Sequence, residues 1–337
     1  SRELLAKNLK CKPKQIFFTG SATESNNWAI ESAWHSKSKK GKRILAAIDS
    51  HPSVTAKMDA MTSRGAEVKY ISVNKDGIID SKKLSDLMTK DTIFISLLWV
   101  NNEIGVIQNI NELLSLIKEK LPDCLIHVDA VQGYAKLKEV CFLKDIDFMS
   151  ISGHKIGGPK GCGALIVKEP NKLIPLIYGG GQEFNKRGGT ENVASMLAFA
   201  KASELMFQNL NENLIKVKFL QETFEKLIKH RIGDIVINGV NTARSPYISN
   251  FSVCGIRGEV LVHALEELDI YISTGSACSS KKEIYSPVLK AMGLEKKMLE
   301  GSFRVSFYPS LNENEIISSG NIVADTIVNL RTLHQRK

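Results

Sequence analysis

Short apolar runs alternate with helix-length amphipathic stretches along the first 200 or so residues, and this alternation constrains the fold more than any other feature. The runs are Gln15–Thr19, Arg43–Ile48, Glu67–Ile71, Thr92–Val100, Leu125–Val128, Phe148–Ile151 and Gly163–Val167. Helical stretches fit between them at Thr23–Lys37, Ser53–Arg64, Ser81–Thr89 and Ile110–Lys120. Such an order belongs to β-α-β units and predicts a mostly parallel sheet with helices on both faces. Apolar strands such as Ile93–Val100 suit a sheet buried on both sides. The longest run is strand-sized, far short of the ~20 residues that span a bilayer.

Beyond Thr190 the texture changes. Long helices are expected at Glu191–Asn209 and Asn211–His230, the second with Leu214, Val217, Leu220, Phe224 and Leu227 at helical spacing. Strands Ile235–Ile237, Ser249–Val253, Tyr271–Ser273 and Ser302–Ser306 then mix with helices Gly258–Leu268, Ser286–Met292 and a last one from Asn312. The reading is an α/β large domain over residues 1–210 and a smaller α+β domain over 211–337. A length of 337 residues suits two domains.

Hydrophobic residues at 43% and charged ones at 24% set aside disordered, collagen-like and coiled-coil chains. The net charge is +9, but the lysines are scattered without interleaved aromatics, as in Lys37-Ser-Lys-Lys-Gly-Lys-Arg43. A solvated basic surface or an acidic partner fits this better than nucleic acid. Six cysteines show neither a C-x-x-C pair nor zinc spacing, so they read as thiols. The first residues are charged and amphipathic, without a signal-peptide pattern, and a cytoplasmic enzyme is expected.

Chemistry concentrates in three segments. Ser150-Ile-Ser-Gly-His-Lys-Ile-Gly-Gly-Pro-Lys-Gly-Cys-Gly163 follows a strand and presents Ser152, His154 and Lys155 among glycines that allow close approach to a ligand. Such a lysine could bond a carbonyl cofactor, with the hydroxyl and imidazole on a phosphate; in isolation it reads equally as a solvated lysine. His127-Val-Asp-Ala-Val-Gln132 places Asp129 at the C-terminal end of a buried strand, where open α/β sheets bind ligands. A protonated pyridine nitrogen would balance that carboxylate; alone, Asp129 could be a helix cap. Phe17-Phe-Thr-Gly-Ser-Ala-Thr-Glu-Ser-Asn-Asn27 is strand, turn and helix start, an anion site or an ordinary capped helix.

In this order and spacing the three segments resemble the class V aminotransferase fold family and, within it, the cysteine desulfurases. The similarity continues through Val100-Asn-Asn-Glu-Ile-Gly-Val106, Gly179-Gly-Gly-Gln-Glu183, Arg187-Gly-Gly-Thr-Glu-Asn192, Ile272-Ser-Thr-Gly-Ser-Ala-Cys-Ser-Ser280 and Ser302-Phe-Arg-Val-Ser306. It implies a pyridoxal 5'-phosphate-dependent transferase fold of type I. By the same resemblance Lys155 carries the cofactor covalently and serves as general base, and Asp129 pairs with the ring nitrogen. Gln132 and Asn102 bond the ring oxygen and orient substrate, while His51 stacks on the ring or, on its own evidence, caps a loop. Ala22, Thr23, Ser152 and His154 hold the phosphate. Thr190 reaches the phosphate of a neighbouring subunit, which implies a homodimer, and Arg304 clamps the substrate α-carboxylate.

Cys278 selects the reaction that the resemblance implies. It would take sulfur from L-cysteine as a persulfide, leaving alanine, on a small polar loop beside Lys281 and Lys282. The loop length is similar to that of the branch serving iron–sulfur cluster assembly or tRNA thiolation, so a sulfur-acceptor protein is an expected partner. A selenocysteine lyase or a catalytically weak scaffolding paralogue on the same frame stays open. Three departures from the family pattern stand out. Gly20-Ser21 reads Ser-Gly in the family, and Asn185 stands where glycine is usual, a place Asn tolerates at positive φ. The chain also starts with Ser1-Arg-Glu-Leu-Leu-Ala, similar to the middle of a family helix that follows a further N-terminal segment. The expectation is a chain that folds and dimerises yet turns over slowly without that segment.

Overall fold

The structure, a computed structural model, describes residues 1–138, 144–275 and 285–335. Cys141 and Cys278 lie outside the described residues. Two compact units emerge. The first comprises Ser1–Ser72, Ile79–Val100 and Gln108–Leu210; the second comprises Val73–Ile78, Asn101–Ile107 and Asn211–Lys337. The second unit therefore takes in two short stretches from the first half of the sequence, Asn102 among them. They are tied in locally: Ile107 N–H donates to the Ala243 carbonyl at 2.9 Å, and Asn241 Nδ2 donates to Asp76 Oδ1 at 3.2 Å.

In the first unit seven strands form one sheet: β1 (Ile16–Thr19), β2 (Arg43–Ala47), β3 (Glu67–Ile71), β4 (Thr92–Leu98), β5 (Leu125–Asp129), β6 (Phe148–Ser152) and β7 (Gly163–Val167). Their order is β1-β7-β6-β5-β4-β2-β3. Neighbours from β6 across to β3 pair in parallel, whereas β7 runs antiparallel to both β6 and β1. Every residue of β4, β5, β6 and β7 is buried, as continuous apolar strands under two helical layers require. Helix Ala22–Lys37 buries Trp28, Ala29 and Ala33 in a core shared with Met58, Phe94 and Phe148. The Trp28 indole N–H is satisfied by the Ile174 carbonyl at 2.8 Å. Because β5 and β6 are parallel neighbours, with Asp129 opposite Ser150, their C-terminal ends bring Asp129 and the Gly153–Ile156 turn to one edge of the sheet.

The second unit has a three-stranded antiparallel sheet of β8 (Val236–Ile237), β9 (Ile248–Ser252) and β10 (Ser302–Ser306), in the order β10-β9-β8. Helices Leu210–Arg231, Gly258–Glu266 and Glu313–Gln335 accompany it. The expected strand Tyr271–Ser273 is reduced to a single bridge, in which Ser273 and Arg304 exchange both backbone hydrogen bonds. Its core is aromatic: Phe251 stacks on Phe303 at 5.1 Å between centroids, and Phe224 packs against Phe251 and Phe307, each at 5.8 Å. Among the described residues no helix is long and apolar enough to cross a membrane.

Phe251 is fully buried at the centre of this cluster. Phe251→Ala is expected to lower stability by about 3–5 kcal/mol through lost burial and the cavity it leaves. Urea unfolding followed by circular dichroism checks this; an unchanged midpoint would remove the aromatic cluster from the core.

Candidate active site

Asp129 ends β5 and is only 4% exposed. Its Oδ2 accepts from Asn26 Nδ2 at 2.9 Å and its Oδ1 from the Val131 N–H at 3.1 Å. The same Asn26 Nδ2 donates to Ser53 Oγ at 2.8 Å, so one amide joins helix Ala22–Lys37, the strand end and helix Pro52–Thr62. His51 is the N-cap of that last helix, its Nδ1 accepting from the Ser53 N–H at 3.1 Å and lying 2.8 Å from Ser53 Oγ. With Nδ1 accepting, the ring proton of neutral His51 sits on Nε2. Burial pushes the Asp129 carboxyl above its ordinary pKa, while the Asn26 and Val131 hydrogen bonds and the charge of His51 pull it back. Burial pushes His51 down, Asp129 raises it, and the charge of Lys155 lowers it. His51 is thus within electrostatic reach of both Asp129 and Lys155.

Lys155 lies half-buried in the short turn Gly153–Ile156 after β6. Gly157 leaves that turn at φ 81°, a left-handed conformation that favours glycine, and the Gly158 N–H closes it onto the Gly153 carbonyl at 2.9 Å. Ser152 Oγ and His154 Nδ1 are 2.8 Å apart. Burial depresses the His154 pKa, and the charges of Lys155, Lys136 and Lys160 depress it further.

The turn after β1 approaches the same sheet edge. A Cβ on Gly163 would lie 2.9 Å from the Ser21 carbonyl carbon and 3.0 Å from the Ala22 nitrogen, so β7 and the helix start meet backbone to backbone. Ser21 caps helix Ala22–Lys37 by accepting from the Glu24 N–H at 3.3 Å. The Glu24 carboxylate in turn accepts from the Gly20 N–H and from Arg187 Nε, both at 3.0 Å. The Gly20-Ser21 departure therefore gives a capped helix with Ala22 and Thr23 in its first turn. Arg187 and Thr190 share a cavity with Thr19, Gly20 and Cys162.

Asn185 adopts φ 62°, and Glu183 and Phe184 before it share the left-handed region. Tertiary contacts enforce this turn. The buried Glu183 carboxylate accepts from the Phe18 N–H at 2.8 Å and pairs with Arg2 at 2.7 Å, while the Phe184 ring packs edge-on to Phe17. Burial pushes the thiols of half-buried Cys11 and buried Cys162 up to about 11 and that of buried Cys124 up to about 12, the behaviour of unreactive, desolvated cysteines.

In the second unit Arg304 on β10 donates from Nη1 to the Asn102 carbonyl at 2.9 Å. The buried Glu103 beside it accepts from Ser286 Oγ at 2.5 Å, and a Cβ on Gly275 would lie 2.3 Å from Glu103 Oε2. Gly275 and Ser286 flank the segment holding Cys278 in the sequence. The sequence alone gives no role to Asn26, Ser53, Glu103 or Lys136. Lys136, 6% exposed, donates from Nζ to Gln132 Oε1 at 3.0 Å, and burial together with the charge of Lys155 pushes its pKa down to about 7.

A parallel sheet with a glycine-turn lysine and a carboxylate at adjacent strand ends defines a class of protein that binds its ligand at the sheet edge. The chain belongs to the class-V aminotransferase family, whose model, Aminotransferase class-V, matches residues 1–318. It is 36% identical over 337 residues to the cysteine desulfurase IscS of Dictyoglomus turgidum, covering 100% of this chain and 85% of that protein. It is 37% identical over 308 residues to a NifS/IcsS protein homolog of Lactobacillus delbrueckii subsp. bulgaricus, covering 91% and 80%. Among solved structures, a NifS-like protein superposes with a TM-score of 0.90 at 30% identity, covering 97% of this chain and 86% of that one.

His127, fully buried behind Asp129, lies 2.8 Å from Ser96 Oγ through Nδ1 and 3.0 Å from Ser150 Oγ through Nε2. Burial pushes its pKa down to about 3. The unfolded chain therefore binds a proton here that the folded chain refuses, and stability falls as pH drops from the ordinary histidine range toward 3. His127→Gln is expected to remove up to about 1.4 kcal/mol per pH unit of that dependence between pH 6 and 4. Urea midpoints of both proteins across that range measure it; parallel curves would contradict the buried neutral ring.

Proposed function

We propose that the chain is a pyridoxal 5'-phosphate-dependent cysteine desulfurase, converting L-cysteine to L-alanine with the sulfur held as a persulfide on Cys278. The observation that carries this reading is the buried Asp129 carboxylate, tied through Asn26 and Ser53 to His51, at the sheet edge that also carries the Lys155 turn. The residues present fit the cofactor. A protonated ring nitrogen would relieve the penalty that burial imposes on Asp129, and Asn26 Oδ1 is a buried acceptor with no hydrogen-bond partner beside it. His154, Lys155 and the first turn of helix Ala22–Lys37 favour a phosphate.

When bound, the cofactor supplies an aldehyde and an electron sink. The chain's own residues would do the rest. Asp129 would hold the ring nitrogen's proton, Gln132 and Asn102 would bond the ring oxygen, and His51 would pack against the ring. Ala22, Thr23, Ser152 and His154 hold the phosphate, with Thr190 serving the site of a second copy. Arg304 would take the substrate carboxylate, and Lys155 Nζ would take the α-proton. The Cys278 thiolate would attack the substrate sulfur; the carbon–sulfur bond would break with its electron pair passing to the cofactor's electron sink, and protonation of that carbon and of the α-carbon would give alanine, leaving one persulfide per cysteine.

The assembly proposed is a homodimer; the exposed apolar residues near Thr190, with Tyr178 86% exposed and Val193 and Leu197 more than half exposed, support this reading. We place the enzyme in the cytoplasm, passing sulfur to a protein of iron–sulfur cluster assembly or tRNA thiolation. The basic surface suits an acidic acceptor.

With dithiothreitol added to reduce the persulfide, alanine and sulfide release from cysteine should greatly exceed alanine and selenide release from selenocysteine; the reverse would make the chain a selenocysteine lyase. Lys155→Ala should abolish the adduct that borohydride fixes on the protein, read by mass spectrometry. Cys278→Ser should keep the visible absorbance of the bound cofactor yet lose sulfur transfer. Normal delivery by that variant would end the role given to Cys278. Mixing Lys155→Ala with Thr190→Ala subunits should restore part of the activity, because one site of each hybrid carries neither lesion; no recovery in verified hybrids would leave Thr190 without a role across the dimer.

A further inference from the structure

Lys136 is a lysine where one is rarely found, buried inside the first unit and within reach of the charge of Lys155. The turn that carries it is determined from three directions. Gly133 lies under the Trp99 indole, where a Cβ would come within 2.4 Å of Cε3. Tyr134 is buried and its hydroxyl lies 2.6 Å from Ser203 Oγ. Ala135 takes φ 56°, a left-handed conformation that a residue with a Cβ adopts only under constraint. The Lys136 N–H then closes onto the Gly133 carbonyl at 3.1 Å, and the side chain runs inward to Gln132. Strain accepted in order to bury a lysine calls for a function.

Its chemistry supplies one. A carboxamide is nearly symmetric in shape but opposite in its two ends, and its orientation follows from its neighbours. Lys136 Nζ donates to Gln132 Oε1 at 3.0 Å, an arrangement that leaves the NH2 of Gln132 for the other side. We propose that Lys136 is a positioning residue that fixes the Gln132 amide so that Gln132 presents its NH2, rather than its oxygen, to the cofactor. This rests on the cofactor reading above. A ring oxygen carrying negative charge accepts from NH2 and is repelled by an amide oxygen, so the orientation decides whether Gln132 stabilises or opposes that charge. The link acts through Gln132; Lys136 itself touches neither cofactor nor substrate in this role.

The test is a double-mutant cycle read in the visible spectrum of the cofactor-loaded protein as pH is varied. Losing the donor to the ring oxygen makes the proton shared between that oxygen and the Lys155 nitrogen harder to remove. Lys136→Met is therefore expected to raise the titration midpoint by about one pH unit, the size of one hydrogen bond's preference for a charged form. Gln132→Leu should give the same shift, and the double variant no more than either alone, because both remove one contact. Lys136→Leu replaces the methionine variant should that one not be recovered folded. Additive shifts would show that Lys136 acts by its own charge, and an unmoved midpoint in a folded, loaded Lys136→Met protein would make it purely structural; either result overturns the proposal. A wild-type protein without any visible band would instead overturn the cofactor reading beneath it.

Discussion

One buried amide holds the site together. Asn26 Nδ2 bonds Asp129 Oδ2 and Ser53 Oγ at once, and Ser53 in turn fixes His51. These groups come from a helix, the end of a central strand and the start of a second helix, so their relative positions are as fixed as the sheet itself. A carboxylate buried to this degree is tolerated because its oxygens are occupied, and each partner is held by an element that cannot shift without disturbing the core around Trp28 and Phe94. Asn26→Leu would leave Asp129 with a lone backbone donor and Ser53 without its partner, so the damage would spread to His51.

The parallel sheet was legible because its signal is local. A run such as Thr92–Leu98, apolar at nearly every position and flanked by helix-length segments, has few other ways to be buried. Asp129 and the glycine turn at Lys155 were legible for a related reason: a polar residue closing an apolar strand, and glycines following one, are rare enough to notice. What stayed hidden depends on distant partners. Nothing in Val73–Ile78 or Asn101–Ile107 announces that they join the second unit, since the residues that receive them, such as Ala243 and Asn241, come more than 130 positions later.

Conformation hides in the same way. Propensity gives no warning that Glu183, Phe184 and Asn185 form a left-handed turn, because Glu and Phe are poor residues for one; Arg2, Phe17 and the Phe18 N–H impose it from across the sheet. Asn185 was the exception, a residue known to tolerate positive φ standing where glycine is usual. Likewise a lysine is expected on the surface, and only the Trp99 and Ser203 contacts around Gly133 and Tyr134 carry Lys136 inside. Tyr271–Ser273 erred in the other direction: its apolar, β-prone residues suggested a strand where the unit's sheet offers only one bridge.

The electrostatics of the first unit give these separate pieces a common logic. Burial raises Asp129 and lowers His51, so both neutral forms gain at the expense of the charged ones, while Lys155, Lys136 and Lys160 add positive potential around His154. Burial thus penalises the Asp129 charge at one end, despite its two hydrogen bonds, while positive charge gathers around His154 at the other. A ligand that is cationic where it meets Asp129 and multiply anionic where it meets His154 relieves both ends together, and a ligand with only one of those features relieves only one. In the proposal above, protonated pyridine and phosphate carried on a single rigid ring would meet that requirement.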